Sequence, residues 1–291
     1  GGGETGQVII GTVGAAIVTA AIFGLVLAHR SGRTQLLSRA GALAERQTGL
    51  PGWCAVPLTV LSTSLIVAVF GMYWDIATHI DAGRDEGPFA NASHYLILVG
   101  LFGVFAAGLI AVFMPTERPS RSAVRLPAGW HAPLGGVLIT LCAIISLSAF
   151  PLDDVWHRIF GQDVTLYGPT HLVLFGGAAL SVVGGLVLLT EGLRARPSPA
   201  HGAGKRKLLM AGFAGAFLIA LSTFQGEYDY AVPQFKLVLH PVLLMIAASI
   251  ALVTARVYVG KGGALAAALF FIVIRGLLSL LVTPTFGHTG L

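Results

Sequence analysis

Pro133 to Phe175 reads PLGGVLITLCAIISLSAFPLDDVWHRIFGQDVTLYGPTHLVLF. The run from Pro133 to Leu152 carries no charge, and a second apolar run opens at Leu172. Runs of roughly 20 apolar residues are what a bilayer core requires. These runs are continuous in Leu, Val, Ile, Ala and Gly, not alternating, so the backbone satisfies its own hydrogen bonds as helix and not as barrel strand. Between them stand Asp153, His157, Gly161, Asp163 and His171. Asp153 and His157 are four apart and share one helix face. His171 follows a Gly-containing turn, where the next helix starts. The stretch therefore predicts two antiparallel membrane helices that bring two imidazoles and a carboxylate to one point.

The same pattern occurs once more upstream, as Asp75, His79, Gly83, Asp85 and His94, shifted by 78 positions from Asp75 to Asp153 and from His79 to His157. The loop before the second His is one residue longer in this copy. We read the two hairpins, 55–115 and 133–193, as an internal duplication. A third, 208–257, is degenerate: Glu227, Asp229 and His240 keep the residue types and lose the spacing, and Phe235 falls where His171 would align.

Composition extends the membrane reading to the whole chain. Of 291 residues 55% are hydrophobic and 11% charged, with a mean hydropathy of +0.81, more apolar than a soluble domain can cover with polar surface. Helices are predicted near 7–29, 55–78, 93–115, 133–154, 170–193, 208–225, 237–257 and 263–283. The fold class is an all-α polytopic transmembrane bundle of eight helices, one domain over 1–291, with sites in the outer loops. Segments 31–52, 116–132 and 194–207 hold Gly, Pro and Ser and read as connecting loops. Small-residue spacings such as Gly100, Gly103 and Gly108, or Gly176, Gly177, Gly184 and Gly185, suit close helix packing.

Bases set the orientation. Arg30, Arg33, Arg39 and Arg46, then Arg118, Arg121 and Arg125, then Arg194, Arg196, Lys205, Arg206 and Lys207, and finally Arg256 and Lys261 fall on one side, which the positive-inside rule makes cytoplasmic. The opposite loops carry most acids and six of the nine histidines, His79, His94, His157, His171, His240 and His288. Both termini are thus expected outside, in a bacterial-type cell membrane with the sites on its periplasmic or extracellular face. Topology accounts for the net charge of +5, so no nucleic-acid partner is implied. The opening Gly-Gly-Gly-Glu lacks a basic n-region and does not read as a signal peptide. Cys54 and Cys142 suggest neither a disulfide nor a thiolate site.

Imidazole with carboxylate suits Zn, Cu, Fe or Ni better than Mg or Ca. The alternative is that each Asp-His pair merely caps or closes a helix end; two copies at one spacing favour an ion. The candidate ligands are Asp153, His157 and His171, and Asp75, His79 and His94. Asp85, Asp163 and Asp154 are candidates for outer carboxylates that orient a ligand imidazole, or for helix caps. Trp74 and Trp156 read as interfacial belt residues. Arg275, mid-span in the last helix, needs a buried acid or an interior cavity to meet it, or the helix must tilt and let it snorkel.

The segment from Asp153-Asp-Val-Trp-His157 through Pro169-Thr-His171 to Phe175 resembles the copper-site segment of the C subunit of particulate methane monooxygenase and ammonia monooxygenase. That family shows Asp-x3-His-x12-His, with a Trp near the first His and a Thr-Pro-Ser-His turn. The present chain has one extra residue between the histidines in the second copy and two in the first, and the resemblance covers about 25 residues in each copy. It implies copper on Asp153, His157 and His171. It also implies a membrane complex with other subunits, one bearing a periplasmic cupredoxin-like domain, arranged as a trimer of heterotrimers, in which O₂ hydroxylates a small apolar substrate or ammonia. The reading that competes with it is a membrane protein that handles copper or zinc, or is stiffened by it, without turnover.

Overall fold

The structure is a computed structural model that describes residues 5–82, 89, 91–161, 166–196, 203–229 and 236–285. It is a helical bundle. Its elements are α1 (Thr5–Arg30), α2 (Leu36–Thr48), α3 (Gly52–Ala82), α4 (Ala92–Phe113), β1 (Val124–Arg125), β2 (His131–Ala132), α5 (Leu134–Phe160), α6 (Pro169–Ala195), α7 (Ala203–Ser222), the single turn α8 (Gly226–Asp229), α9 (Leu239–Val259) and α10 (Gly263–Leu280). Among the described residues eight helices are long and apolar enough to cross a membrane, α1, α3, α4, α5, α6, α7, α9 and α10, as their uninterrupted apolar runs require.

Two hairpins, α3/α4 and α5/α6, form the centre and join through α4 and α5; α7, α9 and α10 form a second group joined to the first mainly through α6 and α7. Lipid tails are as apolar as Leu, so helix association here depends on close fit and not on expulsion of water. Glycines supply that fit. A Cβ on Gly100 of α4 would lie 2.6 Å from the Ala68 Cβ of α3, and one on Gly177 of α6 would lie 2.8 Å from the Cys142 carbonyl oxygen of α5. The core has an inner cluster around Cys54, Leu58, Leu61, Leu188 and Leu189. An outer cluster surrounds Met72, Tyr73, Ile97, Leu101 and Leu174.

Two of the predicted loops carry structure of their own. Segment 31–52 contains α2, whose Leu37 and Gly41 are buried while Leu36 and Leu43 stand exposed. That is the pattern of a helix lying along the bundle with one face against α3. Segment 116–132 contains a two-stranded antiparallel ribbon pairing Val124 with Ala132 and Arg125 with His131. Beneath it Glu191 of α6, 4% exposed, accepts bonds from the Ser120 and Ser122 hydroxyls, each at 2.6 Å, and from the Leu134 and Gly135 N–H groups at 3.1 and 3.0 Å. A carboxylate near the end of α6 thereby caps the amino end of α5, the helix before it.

The helices also run past the apolar spans. α3 and α5 continue through the motif, to Ala82 and Phe160. At 1.5 Å rise per residue Asp75 stands roughly 35 Å from the start of α3, and Asp153 roughly 29 Å from the start of α5. Both carboxylates thus lie about one bilayer core away from the loops rich in arginine, on the same side.

Candidate metal centre

In each hairpin the carboxylate and the first histidine belong to the last turns of the first helix, and the second histidine to the first turn of the second. α6 opens with Pro169 at its first position, after Gly168; Pro lacks the N–H that would be orphaned there and has φ already set. Thr170 and His171 then occupy the second and third positions. α4 opens after Asn91 and has Ser93 and His94 at the corresponding places. Each Asp therefore sits at the amino end of a helix, where the dipole favours negative charge.

In the second copy the Asp153 Oδ2 lies 3.2 Å from His157 Nε2 and the Oδ1 lies 3.3 Å from His171 Nε2. One atom from each of the three residues falls within 4.8 Å of the others, and among the described residues this is the one such cluster of three metal-ligating side chains. The rings of His157 and His171 are 5.6 Å apart at 57°. His157 Nδ1 donates to the Gly161 carbonyl at 3.3 Å. A neutral ring that donates from Nδ1 presents a bare lone pair at Nε2, here toward a carboxylate oxygen. Ligands that share a tetrahedral ion at 2.0–2.1 Å are about 3.3 Å apart, and each of the two Asp153–imidazole separations has that length.

The first copy is drawn tighter. Asp75 Oδ1 takes His94 Nε2 at 2.9 Å and the Ser93 hydroxyl at 2.7 Å. His79 Nδ1 lies 3.4 Å from the Asp75 Oδ2 but donates to the Asp75 backbone carbonyl at 2.9 Å. Its Nδ1 is thus committed within its own turn. Asp75 thus contacts both His79 and His94, while the mutual convergence of three ligand atoms is found in the second triplet, Asp153, His157 and His171.

The other candidates divide. Asp154 bonds Arg158 Nε at 2.8 Å and is not one of the three converging ligands. Asp85, Asp163 and Gly83 lie outside the described residues, and so do the side chains of Glu227 and Asp229, although α8 carries their backbone. His240, at the start of α9, stacks on Tyr228 with ring centroids 5.0 Å apart at 5°. Trp156 packs on Phe160 and Trp74 on Phe70. The Arg275 guanidinium lies 4.1 Å over the ring of buried Tyr73, two residues from Asp75, so an aromatic face is one of the groups that meet this charge.

Two hydroxyls escaped the sequence reading. Thr170 donates to the Asp153 Oδ1 at 2.5 Å, as Ser93 does to Asp75. The signal was a Ser or Thr immediately before the second His of both copies. Below the site, an apolar cavity of about 480 Å³ lies between α3, α4, α6, α7 and α10. Its lining includes Met72, Ile97, Leu174 and Phe175, which stand one helical turn from Asp75, His94 and His171.

No protein family, curated protein or solved structure matches this chain.

Proposed function

We propose that Asp153, His157 and His171 hold a transition-metal ion, copper in the first instance, and that the chain is the metal-carrying membrane subunit of a copper membrane monooxygenase-like complex acting on a small substrate. The observation that carries the ion is the convergence of one carboxylate and two imidazole nitrogens within 4.8 Å. The choice of copper and of O₂ chemistry rests on the motif resemblance. Bound copper with an open coordination position would supply activation of O₂.

The chain's own residues have narrower tasks. His157, tied at Nδ1 to Gly161, and His171, held in the first turn of α6, orient their Nε2 atoms toward one point. Asp153 supplies negative charge beside them. The apolar cavity one turn below offers a small apolar substrate an apolar place beside the site. Asp75, His79 and His94 form the second candidate site.

A copper- or zinc-handling role without turnover is the second reading, favoured by the ligand set itself, since two imidazoles and one carboxylate suit zinc as well as copper. Metal content with electron paramagnetic resonance on the natively purified membrane protein separates these readings. A type-2 copper signal present in wild type and lost in His157→Ala, at about one ion per chain, supports the monooxygenase-like reading. Zinc in that place supports metal handling. Unchanged metal content in both His157→Ala and His79→Ala would sink the sites altogether.

A further inference from the structure

The same hydroxyl contact occurs in both hairpins. Ser93 and Thr170 are both the second residue of a helix, both precede the second histidine, and both donate to the Oδ1 of the aspartate from the preceding helix, at 2.7 and 2.5 Å. Ser93 is 2% exposed. A carboxylate on a flexible χ2 can present either oxygen, or both, to an ion, and terminal sp³–sp² torsions are broad. A hydroxyl has only one proton to give. Where it is spent on Oδ1, it removes one lone-pair direction from that oxygen and sets the plane of the carboxylate. In the second copy Oδ1 thus has both the Thr170 hydroxyl and His171 Nε2, and Oδ2 faces His157 Nε2.

We propose that Thr170, and Ser93 in the first hairpin, are positioning residues that fix which carboxylate oxygen of Asp153 and Asp75 faces a bound cation. This rests on the metal reading of the site. The hydroxyl need not touch the ion; it acts through the aspartate, as partners of ligating carboxylates do at metal centres, where their loss typically weakens binding by about 10- to 100-fold.

The experiment uses the full-length protein in detergent, with Cu²⁺ and separately Zn²⁺ as probes, titrated against a competing chelator. Wild type, Thr170→Val, Thr170→Ser and His157→Ala are compared, with thermal melting as the check on folding. Thr170→Val removes the proton donor and keeps the shape. It is expected to bind about 10- to 100-fold more weakly, with altered copper paramagnetic resonance parameters and an unshifted melt, while Thr170→Ser restores both affinity and spectrum. Wild-type affinity and an unchanged spectrum in Thr170→Val overturn the inference and leave the metal reading standing. Equal lack of metal in wild type and His157→Ala overturns both. Should Thr170→Val melt early, failure of Thr170→Ser to restore the spectrum overturns the positioning role.

Discussion

At Gly161 the backbone takes φ +82° and ψ 165°, a region open essentially to glycine alone. That conformation ends α5 and aims the Gly161 carbonyl back at His157. Among the described residues a Cβ there meets no other atom within 4 Å, so the cost of Gly161→Ala is conformational, about 1–3 kcal/mol. Relaxation would withdraw the carbonyl from the imidazole. Gly161→Ala is therefore expected to lose about tenfold in Cu²⁺ affinity, while Gly129→Ala, also at positive φ but in the ribbon loop, loses stability alone; chelator competition and thermal melts on the two variants decide this. Glu191 makes the opposite prediction. Replacing it by Ala strands the Leu134 and Gly135 N–H groups and two hydroxyls, for a loss of about 3 kcal/mol with metal affinity unchanged. At this scale Asp75, His79, Asp153 and His157 were legible because helical spacing is a strong signal. Ser93, Thr170 and Tyr73 were not, because a hydroxyl in the first turn of a helix or an aromatic in a span is ordinary until its partner in space is known.

Elements were read well where they are uniformly apolar, and poorly where they are amphipathic. The eight spans announce themselves by composition, and the observed helices overrun the forecast ends because an Asp-His turn lowers hydropathy without breaking the hydrogen-bond ladder. α2 was hidden for the converse reason. Its arginines, serine and glutamate read as loop, although Leu37, Ala40, Gly41 and Ala44 recur at helical spacing along one side. How the hairpins hold together is a matter of close approach. On Gly100 any side chain would press on backbone of α3, the Ser64 carbonyl oxygen at 2.7 Å and the Ala68 nitrogen at 2.8 Å. Gly100→Val should thus separate α3 from α4 and cost about 1–3 kcal/mol. Gly14→Val on α1, with nothing within 4 Å among the described residues, should cost little. Equal melting temperatures for the two variants would show that the α3/α4 contact is not the tight one.

For the molecule as a whole, the distribution of charge implies an orientation that a single labelling experiment can read. The loops between α1 and α3, between α4 and α5, between α6 and α7 and between α9 and α10 carry the excess of Arg and Lys, and such excess marks the cytoplasmic side. Asp75 and Asp153 lie at the far ends of α3 and α5, so both clusters would face the periplasm or the exterior. Arg121, in the ribbon loop, and Lys236, just before α9, are both exposed and belong to opposite sides on this reading. A membrane-impermeant maleimide should label Lys236→Cys in intact cells and reach Arg121→Cys only after permeabilisation. Wild type, with Cys54 buried and bonded to the Leu188 carbonyl and Cys142 half-buried, supplies the background. The reverse pattern would put both clusters on the cytoplasmic side, where a periplasmic cupredoxin-like partner has no access. Copper uptake or oxygen chemistry at an outer face would then give way to a site loaded from within the cell.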